Sequence, residues 1–227
     1  MFWQEDNDEN QPFEPSDIVV DLIFRLQGTR VPVDHAQSLA NALRSHLPEE
    51  VFASLGVHPV RVAESGNGWI RPEQTDAKID LSRRTRLILR VPNSHVEKVQ
   101  SLSGESLDIS GDSLVIGPSK IRKLSTLATL FSHGIVCDDF PEEESFTRWV
   151  AKELDALGIP VKKLLCGMTR VIVTDDGEWV TRSLLIADLT PQDSLLLQQE
   201  GLGSGRQLGC GIFIPHKGIA PVYTAQE

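Results

Sequence analysis

Gly201-Leu202-Gly203-Ser204-Gly205-Arg206-Gln207-Leu208-Gly209-Cys210-Gly211-Ile212-Phe213 places five glycines in eleven residues around one arginine, then ends in an apolar run that reads as a strand. Glycine density of this kind lets a backbone take positive φ and come close to a ligand with its N–H groups outward. The order of elements decides what sort of fold can hold it. Dinucleotide folds run strand, glycines, helix, and a phosphate loop of the Walker type closes on Gly-Lys-Ser/Thr. Here the helix-like stretch Pro191–Gln199 comes first and the strand follows. Two roles fit a helix–loop–strand glycine segment: holding an RNA backbone against a sheet, and forming a tight structural crossover. The glycine density favours the first.

Working outward, the C-terminal half reads as extended segments over Lys120–Cys137, a helix Glu143–Leu157, a strand pair Leu164–Thr174 and Trp179–Leu189 turning at Asp175-Asp176-Gly177, the helix Pro191–Gln199 and the strand Cys210–Ile214. Phe146, Trp149, Val150, Leu154 and Leu157 mark the inward face of the first helix. The N-terminal half has the same order. Asp17–Leu26 is β-rich and partly alternating, and Ala36, Leu39, Ala40, Leu43 and Leu47 recur at helical spacing over Asp34–Leu47. Asp34 with Gln37 three residues on predicts a capping box. Val57–Val62 and Arg84–Val91 read as strands, Ser94–Leu102 as a second helix, and Ser106–Ile109 with Ser113–Ile116 as a hairpin. Strand–helix–strand–strand–helix–strand is the ferredoxin-like unit. The expected architecture is therefore α+β, with two tandem ferredoxin-like (RRM-like) lobes. Its expected divisions are a disordered acidic tail over 1–16, lobes over 17–117 and 118–215 that meet near Gly117-Pro118, and a C-terminal tail over 216–227.

At 227 residues and 40% hydrophobic, the chain can bury one good core or two small ones. No run of eighteen apolar residues occurs and no secretory leader is evident, and Cys137, Cys166 and Cys210 lack metal or disulfide spacing. A soluble cytoplasmic protein with no membrane partner is expected. A net charge of −10 runs against nucleic-acid binding, which draws on Lys and Arg. Half of that charge lies in Glu5, Asp6, Asp8, Glu9 and Glu14, however, while residues 82–123 carry a local +4. Charge thus permits a basic face.

Among six histidines, His35 is best placed for proton transfer. It falls in the first turn of a helix, beside the apolar stripe, where the helix N-terminus favours neutral imidazole and Asp34 pulls the other way. An ordinary solvent-facing histidine is the competing reading. His46 lies roughly 16 Å further along the helix and suits a C-terminal dipole partner. His58, beginning a strand, could support RNA or the fold, and the fold is favoured. His95, His133 and His216 read as surface or loop residues. No metal-ligand spacing appears, so no cofactor or catalytic metal is expected. Arg84, Arg86 and Arg90 share one strand face by alternation, and Lys120, Arg122 and Lys123 lie at the seam between lobes. Tyr223 is the one tyrosine and Trp69 sits in a polar stretch, so base stacking has few candidates.

Four blocks carry a resemblance: Val20–Phe24, Val33-Asp34-His35, Gly56-Val57-His58-Pro59-Val60, and Leu196–Gly203 with the glycine loop behind it. In this order they resemble CRISPR-associated endoribonucleases of the repeat-associated mysterious protein (RAMP) superfamily, in their MYXAN-type branch, over about Asp17 to Pro215. The resemblance implies two ferredoxin-like lobes and metal-independent cutting of precursor CRISPR RNA beside a repeat hairpin. It further implies a general acid/base histidine at the position of His35. RNA contacts are implied for Gly201, Gly203, Gly205, Arg206, Gly209 and Gly211, with Arg84, Lys120, Arg122 and Lys123 as electrostatic candidates. Repeat RNA and other effector-complex subunits are the implied partners. The tyrosine that the family sets beside its histidine has no evident counterpart here. A non-catalytic RNA-binding subunit of the same superfamily, and an unrelated nucleotide-binding domain, are the competing readings.

Overall fold

The computed structural model describes residues 17–60 and 77–216. The acidic N-terminal stretch, the end of the expected strand at Val57–Val62, Trp69, Tyr223 and all but the first residue of the expected C-terminal tail lie outside them.

The N-terminal lobe is built on β1 (Val19–Gln27), a short ribbon strand β2 (Arg30–Pro32), α1 (Ala36–His46), α2 (Glu49–Ala53), β3 (Gly56–Val57), β4 (Lys78–Asp80), β5 (Arg86–Pro92), α3 (Val96–Gln100), β6 (Ser106–Ile109) and β7 (Asp112–Lys123). Its sheet runs β3-β5-β1-β7-β6, with β2 and β4 paired apart from it. The C-terminal lobe has β8 (Leu130–Val136), α4 (Glu143–Ala156), β9 (Lys163–Thr174), β10 (Gly177–Ala187), α5 (Pro191–Glu200) and β11 (Phe213–Pro215), in a sheet ordered β11-β8-β10-β9. Both sheets follow the ferredoxin-like order, last-first-third-second, with β6 added at one edge of the first. The fold class read from the sequence is the one observed.

Each lobe has its own apolar core. Val20, Leu22, Phe24 and Leu26 alternate along β1 toward Leu39 and Leu43 of α1 and Leu87 and Leu89 of β5. Leu130, Ile135, Phe146, Val150, Leu154, Leu184 and Phe213 fill the second core. Trp149 and Leu157, expected to be inward, are only partly buried against it.

The division between lobes differs from the expected one. β7 continues through Gly117-Pro118 and stays paired with β1 as far as Val20↔Lys123. Proline tolerates this position because the register shifts at Phe24/Leu26, the point where a ladder bond is interrupted. Residues 118–123 therefore complete the first sheet, and the connection between lobes is the stretch after Lys123. The second N-lobe helix is shorter than Ser94–Leu102, since Asn93–His95 forms a tighter 3-10 turn before α3.

Candidate functional site

Alternation on β1 sends Asp21, Ile23 and Arg25 to the face opposite the helices. Register then sets the neighbours: Asp21 lies across from Arg90 on β5 and from Arg122 on β7. Cross-strand opposites of unlike charge attract, and here they close a network. The Asp21 carboxylate accepts from Arg90 Nε (2.9 Å) and Nη2 (3.3 Å) and from Arg122 Nη2 (3.0 Å). Arg90 is 1% exposed, and its Nη1 also donates to Gln198 O (3.0 Å) on α5 and Phe213 O (2.7 Å) on β11. Alternation sets Arg90 on one strand face with Arg84 and Arg86, yet Arg90 is not solvated there. This side chain is buried because the second lobe covers it, and it ties the lobes together.

Beside the network opens a cavity of about 520 Å³, lined among others by Arg84, Arg86, Arg122, Lys123, His58 and His133. Three of the four expected electrostatic residues, Arg84, Arg122 and Lys123, meet here. Lys120 shares the sheet face by register with Ile23 but is exposed and does not line the cavity. His58 is 8% exposed, with Nε2 3.6 Å from Asp21 Oδ1 and without a hydrogen-bond partner. Burial alone pushes the Asp21 carboxyl up, but His58 and Arg90 together outweigh it and hold the group far below the usual carboxylate range. Burial pushes the His58 imidazole down. Asp21 opposes that shift, while Arg90 and Arg122 add to it.

His35 departs from its expected setting. It stands at the cap position of α1 rather than in the first turn, and it is buried. Its Nδ1 lies 2.9 Å from Pro32 O, and its Nε2 accepts from Val60 N–H at 3.0 Å. Both bonds together require a neutral ring with its proton on Nδ1. The expected Asp34 cap is absent, because the Asp34 carboxylate crosses to the other lobe and accepts from Val173 N–H at 3.1 Å. No side chain caps α1 at all. Gln37 is likewise drawn away, bonding the Asp175 carboxylate on the β9–β10 turn. His35 borders a second cavity, of about 90 Å³, with Asp34, His133, Arg170, Thr181 and Cys210. The two cavities share Pro59 and His133.

The glycine loop has the close packing of a crossover and keeps part of its backbone unbonded. Gly201, Gly203, Gly205, Gly209 and Gly211 all have positive φ. A Cβ on Gly211 would lie 2.1 Å from Leu202 O, and one on Gly209 would lie 2.8 Å from Pro59 Cγ in the other lobe. Those are demands of a crossover. Yet only part of the loop spends its amides on the fold: Gly201 N–H donates to Leu197 O, Gly209 N–H to Arg206 O and Gly211 N–H to Gly134 O. The amides of Gly203, Ser204, Gly205, Arg206 and Gln207 make no hydrogen bond among the described residues. Successive free amides next to left-handed glycines form an anion-binding concavity. Arg206 turns back, donating from Nη1 to Glu200 O (2.9 Å) at the end of α5, and burial lowers its pKa.

Reading the sequence missed Asp21 and Arg170 and set His133 aside. Asp21 reads as one acid in an apolar strand, and only the strand register reveals its two arginines. His46 ends α1 as expected, with Nδ1 on Ala42 O (2.8 Å), and His95 bonds Ser54. His216 is exposed. Among the described residues, no group of three His, Cys, Asp or Glu could hold a metal ion, and no helix is long and apolar enough to cross a membrane.

A family model described as "Cas6 Crispr" matches residues 20–218. "CRISPR-associated endonuclease Cas6" of Myxococcus xanthus (strain DK1622) is 30% identical over 199 residues, covering 87% of this chain and 82% of that one. Two solved structures share the fold. One, titled "CRISPR associated protein Cas6", aligns with TM-score 0.59 at 12% identity over 88% of this chain and 100% of that one. A Cas6-related protein from Pyrococcus furiosus aligns with TM-score 0.58 at 13% identity over 86% and 97%.

Proposed function

We propose, from the premise that this chain belongs to the Cas6 family of CRISPR proteins, that it is an endoribonuclease. On this reading it binds the repeat hairpin of precursor CRISPR RNA and cuts it without a metal. The ribose 2′-oxygen attacks the adjacent phosphorus while the P–O5′ bond breaks, leaving a 2′,3′-cyclic phosphate and a 5′-hydroxyl. The 2′-hydroxyl must lose a proton, O5′ must gain one, and the phosphorane must be stabilised. His35 serves as general acid/base, its Nε2 exchanging the Val60 amide for an oxygen of the substrate. The lock of Nδ1 on Pro32 O keeps the ring's orientation through that exchange. Arg84, Arg122 and Lys123 attract the RNA backbone, Lys120 adds charge beside them, and the glycine loop holds a phosphate on its free amides. Arg206 contributes through its amide and through its bond to Glu200 O, which fixes the loop.

The observation that carries this reading is the convergence at the junction of the lobes. His35, the loop's Gly209-Cys210 and a wall of basic side chains border two adjoining cavities. After the cut the protein stays on its guide RNA and joins an effector complex. The test is His35→Ala assayed for cutting and for hairpin affinity separately. The reading expects cutting to fall by roughly 10²–10⁴-fold with affinity held, and undiminished cutting would remove His35 from the mechanism.

A second reading has its own support. A histidine buried with both nitrogens on backbone groups is also what a structural residue looks like. On that reading the chain is a non-catalytic RNA-binding subunit, and wild-type protein binds the hairpin tightly without cutting it.

A further inference from the structure

We propose that His58 is a second catalytic residue of the RNA cleavage, taking the 2′-hydroxyl proton at Nδ1 with Asp21 as its positioning residue. The proposal rests on the nuclease reading above and goes beyond it by naming the base. Nothing in the sequence singled out the pair, because the two residues are 37 positions apart and meet only through the sheet.

Three observations carry it. The first is the contrast with His35, whose ring nitrogens are both satisfied. His58 Nε2 is buried without a hydrogen bond, although buried polar atoms in a fold are nearly always paired. The ring is nevertheless firmly placed, since the His58 backbone N–H donates to Ile88 O at 3.0 Å and Asp21 Oδ1 lies 3.6 Å from Nε2. A carboxylate behind one imidazole nitrogen leaves the other to the ligand. Nδ1 makes no hydrogen bond among the described residues, and the ring lines the 520 Å³ cavity.

The second observation is the company the ring keeps. Arg84, Arg86, Arg122 and Lys123 line the same cavity, so its natural occupant is a phosphodiester. The third is charge. Asp21 on β1, Arg90 on β5 and Arg122 on β7 are the charged groups that act on the ring, and Gln198 of α5 and His133 of β8 border the same space. Burial and the arginines favour the neutral imidazole, the form that accepts a proton at neutral pH. When it does so, Asp21 compensates the imidazolium.

The step balances. The 2′-O–P bond forms and the P–O5′ bond breaks. The 2′ proton passes to Nδ1 of neutral His58, and O5′ takes a proton from Nε2 of His35 in the adjoining cavity, which shares Pro59 and His133. His35 enters the step as the imidazolium, protonated at Nε2 once the substrate has displaced the Val60 amide.

The experiment measures single-turnover cleavage of a repeat hairpin in EDTA by wild type, His58→Asn, His58→Gln and His35→Ala. Each is given ordinary RNA and RNA with a 5′-bridging sulfur, whose thiolate leaves without a proton. Hairpin affinity and melting temperature are recorded for each variant. Both His58 variants should lose roughly 10²–10⁴-fold in rate with affinity and melting temperature held. Their residual rate should rise about tenfold per pH unit as hydroxide replaces the base. The sulfur substrate should restore His35→Ala and leave the His58 variants slow. If neither variant folds, wild type on the sulfur substrate still decides. Its rate should climb with pH to a plateau whose midpoint lies below that of an ordinary histidine, and a flat profile would overturn the proposal. Cutting by the His58 variants at the wild-type rate, rescue of them by sulfur, or parallel loss of affinity would each overturn it too. A wild type that binds the hairpin and cuts neither substrate overturns the nuclease reading, and this proposal with it.

Discussion

Replacing Arg90 with methionine keeps the side-chain length and removes the charge that joins the two lobes. In the native protein Arg90 makes four hydrogen bonds, two to Asp21 and one each to Gln198 O and Phe213 O. The variant leaves Asp21, which has 4% side-chain exposure, with Arg122 and His58 as its remaining partners, and it leaves two buried carbonyls short of a donor. Breaking a buried ion pair by removing one partner costs roughly 3–5 kcal/mol. In a chain of this size that is a fall of roughly 6–20 °C in melting temperature. The assay is urea or thermal unfolding followed by far-ultraviolet circular dichroism and tryptophan fluorescence, with Asp21→Asn and the double variant completing a cycle. The double variant should be less destabilised than the two single changes added together, because it no longer strands a charge. A loss under about 1 kcal/mol for Arg90→Met would mean that the pair behaves like a surface salt bridge and that the lobes are held by something else.

Two other outcomes follow from the same structure. Asp21 and His58 are both held below their ordinary pKa values. The unfolded chain therefore binds more protons than the folded one, and stability present at neutral pH is lost on acidification. The His58 share goes first, as pH falls below the ordinary histidine range, and the Asp21 share follows below the ordinary carboxylate range. A melting temperature that rises between neutral pH and about pH 5 would contradict these directions. Gly211→Ala should disrupt the loop, since it combines φ +66 with a Cβ 2.1 Å from Leu202 O. Gly104→Ala, with φ +101 and nothing within 4 Å, meets only backbone strain, about 1–3 kcal/mol. Equal melting temperatures for the two would show that the crossover is not tightly packed.

The alternation and helical spacing in the chain were enough to name the fold, because each lobe buries an ordinary apolar stripe: Leu39, Ala40 and Leu43 on α1, and Phe146, Val150 and Leu154 on α4. The lobe boundary was misread because Gly117-Pro118 resembles a linker in sequence, while in space it is a bulge within a long strand. The site was legible in its parts and not in its assembly. Arg84, Arg122, Lys123, His35 and the loop glycines stood out by residue type. The capping box at Asp34 and Gln37 failed because both side chains found partners across the lobe junction, at Val173 and Asp175. Asp21 could not be found from spacing, since its significance depends on which residues of β5 and β7 lie opposite it.

The central claim, metal-independent cleavage by the 2′-hydroxyl, is tested most directly by incubating the protein with its repeat hairpin RNA in excess EDTA and mapping both new ends. The account predicts one cut beside the stem, with a 2′,3′-cyclic phosphate on one fragment and a 5′-hydroxyl on the other. Cutting that returns only when a divalent metal is restored, or fragments that carry a 5′-phosphate, would contradict it.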